Sequence, residues 1–137
     1  MNVAVADASA LYAAADAGDP DHRACLEELQ RSDLRVVIPT LVVAEVSYLL
    51  GSRLGPGADA SFMRAMATQD LEPPSSEDYA RIAELVENYA DFPLGGVDAS
   101  VIALAERFDT PTVLTLDRRH FSTVRPAHCK SLELLPG

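Results

Sequence analysis

The sequence has 137 residues, 48% of them hydrophobic and 23% charged, and its 21 Asp and Glu against 11 Lys and Arg give a net charge of −10. This composition supports a self-sufficient core, which excludes intrinsic disorder and a disulfide-dependent miniprotein. The negative charge also argues against binding nucleic acid or an anionic membrane through a broad basic face. We therefore expect residues 1–137 to fold as a single domain.

The cysteines and the first residues indicate the compartment. Cys25 and Cys129 are far apart in the sequence, without a CxxC pair or a His at zinc-ligand spacing, which is typical of reduced thiols in the cytosol. The start of the chain lacks the basic segment and the long apolar run of an export signal. No uncharged apolar run approaches the roughly 18 residues of a membrane span. We expect a cytoplasmic protein without a membrane partner.

The first half of the chain alternates short β-branched runs with segments of helical periodicity. Asp19 is expected to cap the second helix, whose apolar stripe is Ala24, Leu26 and Leu29, and Thr40 to cap the third helix. The patterns predict strands at 3–6, 34–38 and 71–72 and helices at 10–15, 20–31, 41–54 and 58–68.

The second half continues the alternation of helices and strands. Ser75 or Ser76 is expected to cap an amphipathic helix with the apolar positions Tyr79, Ile82, Ala83, Val86, Tyr89 and Ala90. A further helix is predicted at 97–108, with Val101, Ile102, Leu104 and Ala105 inward, and strands at 111–116 and 131–135, the last at a sheet edge. This alternation predicts an α/β fold with a parallel sheet covered on both faces. The functional site of such a fold lies beyond the carboxyl ends of its strands.

Three acids stand where that site is expected. Asp7 follows the first strand, Asp98 begins a helix and Asp117 follows the late strand. Taken singly, each acid is explained as a helix cap that contributes about 1 kcal/mol.

Glu45 is a fourth acid, placed four residues after Leu41 and four before Leu49 on the apolar stripe of helix 41–54. A buried carboxylate there must be neutralised, paired with an Arg or bound to a metal. Four acids gathered at one sheet edge favour a hard divalent cation, and oxygen ligands select Mg²⁺ or Mn²⁺ over Zn²⁺. Such a site suits phosphodiester hydrolysis by a metal-activated water.

Smaller and basic side chains fall at the same edge. Ser9 and Thr115 can hydrogen-bond the carboxylates or metal-bound waters, although both residue types are also common in turns and strands. Arg118 and Arg119 precede His120 in the densest basic cluster, which either grips a substrate phosphate or forms a solvated turn.

Four ordered motifs resemble the PIN-domain ribonucleases and, more narrowly, the VapC-type toxins of bacterial toxin–antitoxin pairs. They are VADASAL at 5–11, PTLVVAEV at 39–46, GVDASVIALA at 96–105 and TLDRRHF at 115–121. The resemblance implies a three-layer α/β/α PIN-like (Rossmann-like) fold with a mainly parallel sheet. It also implies a Mg²⁺- or Mn²⁺-dependent endoribonuclease that acts on RNA, a homodimer, and an antitoxin whose C-terminal segment covers the site.

The resemblance also implies roles for individual residues. Asp7, Glu45, Asp98 and Asp117 correspond to the family's metal-binding and catalytic acids. Ser9 and Thr115 correspond to supporting hydroxyls. Some members carry a further acid after the position of Asp117, where this chain has basic residues, so the number of metal ions stays open. Because the chain is so acidic, we expect its antitoxin to be basic where it covers the acids.

Other functions remain open from the residues alone. A metal-dependent phosphatase or a DNA-directed PIN-like nuclease would use similar acids, although a covalent phosphatase would need a second Asp at the position of Ser9. A response-regulator receiver would need a Lys after a late strand, and the single Lys130 comes too near the end. A non-catalytic module would use the acidic surface to bind a basic partner.

Overall fold

The computed structural model describes all residues from Met1 to Gly137. Its five strands form one sheet in the order β3-β2-β1-β4-β5, and every neighbouring pair is parallel. The strands are β1 (Asn2–Ala6), β2 (Leu34–Pro39), β3 (Asp70–Glu72), β4 (Thr112–Leu114) and β5 (Glu133–Leu135). The predicted parallel sheet is confirmed, and β1 occupies its centre with β5 at one edge.

Seven helices flank the sheet and complete the predicted α/β fold. They are α1 (Ala8–Ala15), α2 (His22–Leu29), α3 (Thr40–Leu54), α4 (Pro56–Met66), α5 (Ser76–Asn88), α6 (Gly96–Arg107) and α7 (Arg118–Thr123). None of them combines the length and the apolar character needed to cross a lipid bilayer. The predicted inward face of α6 is confirmed, since Val101, Ile102, Leu104 and Ala105 are all buried.

The start of α2 differs from the prediction. The helix begins at His22, because the Asp19 side chain accepts a hydrogen bond from the Asp21 amide at 2.8 Å and so forms a turn ahead of the helix. Cys25 is the buried residue of this helix and Ala24 is exposed, so the predicted apolar stripe was wrong at Ala24.

The cap predicted for α3 was also wrong. Pro39, with extended backbone, precedes the helix, and Thr40 is already its first residue and makes no side-chain cap. Proline has no amide hydrogen and its φ is fixed near −65°, so it ends β2 and begins the helix without a hydroxyl partner.

Helix α5 presents a different face to the core from the predicted one. The buried positions are Asp78, Ile82 and Leu85, while Tyr79 is 52% exposed. Asp78 closes the capping box with Ser75 and also accepts a hydrogen bond from Arg107 Nε at 2.8 Å. These contacts turn the helix so that Ala83 and Ala90 face solvent.

The capping box of α5 gives a first prediction. Replacing Ser75 with Ala removes the acceptor of the Asp78 amide hydrogen bond, which is 3.1 Å long. We expect a loss of about 1 kcal/mol of stability and a fall in Tm of about 3 °C, measured by thermal unfolding. Ser76→Ala is the matched control, since Ser76 is exposed and lies inside the helix. Equal effects of the two substitutions would contradict the capping role.

Candidate active site

Asp7 follows the central strand β1 and lies at the start of α1, where it is only 3% exposed. Its Oδ2 accepts hydrogen bonds from Ser9 Oγ and Thr115 Oγ1, both at 2.8 Å. Its Oδ1 is the one buried side-chain oxygen or nitrogen in the protein without a hydrogen-bond partner. Burial raises the pKa of this carboxyl. A buried acceptor left unpaired is rare in native proteins and marks a site for a ligand.

The two hydroxyls that hold Asp7 also join the ends of β1 and β4. Ser9 Oγ accepts the Leu116 amide at 3.0 Å, and Thr115 Oγ1 accepts the Asp117 amide at 2.9 Å. The hydroxyls lie 3.2 Å from each other. The network therefore fixes the Asp7 carboxylate relative to the segment that carries Asp117.

Glu45 reaches the site from α3, but not from the buried stripe of that helix. The prediction that it is buried was wrong: the core face consists of Val42, Val43, Val46 and Leu50, and Glu45 is exposed beside it. Its side chain lines the same cavity as Asp7. Partial burial and then the charge of Asp7 raise the pKa of the Glu45 carboxyl. Its environment is therefore set by the other acids and not by the core.

Asp98 is the third residue of α6 and makes no capping hydrogen bond. Burial, followed by the charge of Asp7, raises the pKa of its carboxyl to about 6, although His120 opposes the shift. The capping explanation therefore does not apply to Asp98. Its carboxylate is held close to like charges at an energetic cost.

Asp117 is a helix cap and an acid of the site at once. Its Oδ1 accepts the backbone amide of His120 at 3.0 Å, and its Oδ2 lies 2.7 Å from Nδ1 of the same residue. His120 is in turn held by the Pro93 carbonyl, 3.2 Å from Nε2, and by the Phe92 ring, 4.9 Å away between centroids. Sequence periodicity missed helix α7 and therefore this bracing contact.

One cavity of about 340 Å³, which we call the acidic cleft, brings all four predicted acids together. It is lined by Asp7, Ala8, Ser9, Tyr12, Asp19, Glu45, Leu49, Arg53, Asp98, Leu116 and Asp117. The two charged residues that sequence reasoning missed are Asp19 and Arg53. Arg53 stands four residues after Leu49 and eight after Glu45, and this helical spacing is the signal that would have found it.

The predicted basic residues lie outside the acidic cleft. Arg118 donates a hydrogen bond to the Pro136 carbonyl at 2.7 Å. The Arg119 guanidinium lies 5.4 Å from the centre of the Phe92 ring. A contact of either residue with a substrate phosphate stays a prediction.

The donor set of the acidic cleft fits a hard divalent cation. The carboxylates of Asp7, Glu45, Asp98 and Asp117 offer only oxygen, which Mg²⁺ and Mn²⁺ prefer. No three His, Cys, Asp or Glu side chains converge as a ready-made metal cage. Like charges repel, so these carboxylates stand apart until a cation draws them inward. The unpaired Asp7 Oδ1 is the observation that supports the fit.

Two sequence comparisons place the chain among known proteins. Residues 4–125 match the family model of the PIN domain. Ribonuclease VapC26 of Mycobacterium tuberculosis is 40% identical over 124 residues, which is 89% of this chain and 92% of the relative.

Solved structures show the same fold at low sequence identity. VapC20 of Mycobacterium tuberculosis, a sarcin-ricin loop cleaving toxin, gives a TM-score of 0.77 at 18% identity over 86% of this chain and 92% of that chain. VapBC2 of Rickettsia felis, bound to a promoter DNA fragment, gives 0.72 at 16% identity, covering 96% and 98%. A toxin–antitoxin complex from Klebsiella pneumoniae gives 0.66 at 16% identity, covering 95% and 99%. These likenesses concern the fold alone.

The raised pKa of Asp98 gives a second prediction. Because its folded-state pKa of about 6 exceeds the usual 3.8, the stability that its protonated form contributes is present below about pH 4 and is lost as the pH rises through 6. Asp98→Asn should therefore stabilise the metal-free protein at pH 8 by about 1 kcal/mol after solvent screening, and by less at pH 5. Thermal unfolding in EDTA measures both values.

The exposed Asp91 makes no ion pair and provides the control for this charge removal. We expect Asp91→Asn to leave Tm unchanged at both pH values. An Asp98→Asn variant that is less stable than the wild type at pH 8 would contradict the repulsion inferred for the cleft.

Proposed function

The chain belongs to the PIN-domain family, and on that premise we propose that it is a Mg²⁺- or Mn²⁺-dependent endoribonuclease, the toxin of a toxin–antitoxin pair. One observation carries the proposal: the buried Asp7 carboxylate keeps an unpaired oxygen in a cleft lined by three further acids. The name of the relative that is 40% identical, a ribonuclease, supports RNA as the substrate.

The four acids divide the work according to their surroundings. Asp7 is the fixed ligand, because Ser9 and Thr115 bind one of its oxygens and leave the other free. Asp98 and Asp117 complete the oxygen donors of the cleft. When bound, Mg²⁺ or Mn²⁺ supplies a water of lowered pKa and neutralises charge on the phosphate oxygens.

Glu45 has a separate place in the proposed reaction. It is the most exposed of the four acids and makes no hydrogen bond or ion pair, so its carboxylate is free to reorient. We assign it to orienting the attacking water and accepting its proton, a role that needs reach as well as a raised pKa.

The nuclease proposal is tested by cleavage of a transcribed RNA in Mg²⁺ and in Mn²⁺. We expect Asp98→Asn and Glu45→Gln each to lower the cleavage rate about 100-fold, because each removes a charge that acts at the reacting phosphate. EDTA should abolish cleavage. Electrophoresis of end-labelled RNA measures the rates, and the same sequence as single-stranded DNA distinguishes the DNA-directed alternative.

The controls remove the same groups elsewhere on the surface. Asp91→Asn and Glu87→Gln replace exposed acids that have no ion pair and lie outside the cleft. Both should cleave at the wild-type rate. If Asp98→Asn and Glu45→Gln retain EDTA-sensitive cleavage at that rate, the proposed site is wrong.

We also propose a homodimer and an antitoxin that is basic where it covers the acidic cleft. The support is electrostatic, since the chain carries a net charge of −10 and five carboxylates line the cleft. An Arg or Lys of the partner would neutralise these carboxylates in the place of a metal ion.

The partner proposal predicts reversible inhibition that depends on salt. The tagged protein, purified with its partner from the native host, should be inactive, and separation at high salt should release the nuclease activity. Adding the separated partner back at low salt should suppress cleavage again, whereas Asp98→Asn and Glu45→Gln should bind it more weakly. Full activity of the intact complex would contradict the proposal.

A further inference from the structure

Arg53 is the one cation among the charged residues that line the acidic cleft, where five carboxylates surround the remaining space. It lies in the last turn of α3 and is exposed. No carboxylate lies within ion-pair distance of its guanidinium, whereas Arg31, Arg35, Arg81 and Arg107 are all paired with acids. The Arg53 side chain therefore has a charge that no acid of the fold neutralises.

The Tyr12 ring supports Arg53 from below. The centre of the guanidinium lies 4.9 Å from the centre of that ring. Tyr12 is only 7% exposed, and its hydroxyl donates a hydrogen bond to Asp16 Oδ2 at 2.8 Å, so the ring is held in place. A guanidinium stacked on an aromatic face keeps its in-plane N–H groups free for an anion.

The position of Arg53 along α3 separates it from the four acids. It follows Glu45 by eight residues, which is about 12 Å along the helix axis at about 1.5 Å per residue. Leu49 lines the cleft between them. An anion on Arg53 is therefore distinct from a phosphate that reacts at the acids.

We propose that Arg53 binds a phosphodiester group of the RNA that flanks the bond to be cleaved. The inference rests on the proposed nuclease function and assigns the direction in which the strand crosses the cleft, from the acids toward the carboxyl end of α3. A planar guanidinium matches two phosphate oxygens with parallel hydrogen bonds. The surrounding carboxylates repel the backbone, so this contact is the protein's own attraction for the strand within the cleft.

The binding test uses a short, fluorescein-labelled, mixed-sequence single-stranded RNA, with Ca²⁺ as the divalent cation and electrophoresis to verify that the strand stays intact. We expect Arg53→Gln to weaken binding about tenfold, measured by fluorescence anisotropy. The slope of log affinity against log salt should fall by about 0.7, the value for one phosphate contact on a single strand.

Arg64→Gln is the matched control. Arg64 also lies in the last turn of its helix, is exposed and has no ion pair, but it does not line the cleft. This variant should bind with wild-type affinity and slope. Arg53→Lys keeps the charge without the planar fork, so its affinity should be intermediate with the wild-type slope. Wild-type affinity and slope for Arg53→Gln would overturn the proposal, as would a loss of antitoxin binding without a loss of RNA binding.

Cleavage of the same RNA in Mg²⁺ separates binding from chemistry. A flanking contact acts equally on the bound substrate and the transition state, so Arg53→Gln should raise KM about tenfold with kcat within about twofold. A fall in kcat at unchanged KM would overturn the assignment. If the wild type cleaves no RNA, the proposed function fails, while the anisotropy comparison of Arg53 with Arg64 still decides the inference. Circular dichroism of each variant verifies the fold.

Discussion

The buried carboxylate of Asp7 is the constraint on which the rest of the site depends. It follows the central strand of a parallel sheet, where neighbouring strands leave an open edge. Two hydroxyls hold one of its oxygens and nothing holds the other. Every further acid that enters the cleft raises the cost of ionising Asp7 and its neighbours, and this cost is the physical reason that a divalent cation would be bound there.

The distribution of arginines explains how so acidic a protein can act on a polyanion. Five of the ten arginines form ion pairs with Asp or Glu, so their charge stabilises the fold and is not offered to a partner. No broad basic face remains, as the composition predicted. Attraction for RNA is then local: a cation on the four acids, with Arg53 beside it. This arrangement favours one strand in one position over indiscriminate binding.

The sheet and most helices could be predicted because strands of β-branched residues and capped, periodic helices leave local signals. Glu45 could not be placed correctly, because α3 is apolar on two adjacent stripes. Leu41 and Leu49 mark one stripe, and Val42, Val46 and Leu50 mark the other, which packs in the core. Periodicity alone cannot choose between them. Likewise, α7 is six residues long, and its bracing contact with Pro93 depends on the folded chain.

Asp117 shows that capping and catalysis are not competing explanations for an acid at a strand end. Its hydrogen bonds to the His120 amide and ring stabilise α7 and also fix the direction of the carboxylate that enters the cleft. Asp98 has no such compensation, and its raised pKa of about 6 reflects the difference. An acid that caps a helix contributes stability, whereas an acid without partners lowers it. The protein therefore combines one stabilising and one destabilising carboxylate at the same edge, an arrangement that core packing alone does not explain and that a bound cation would.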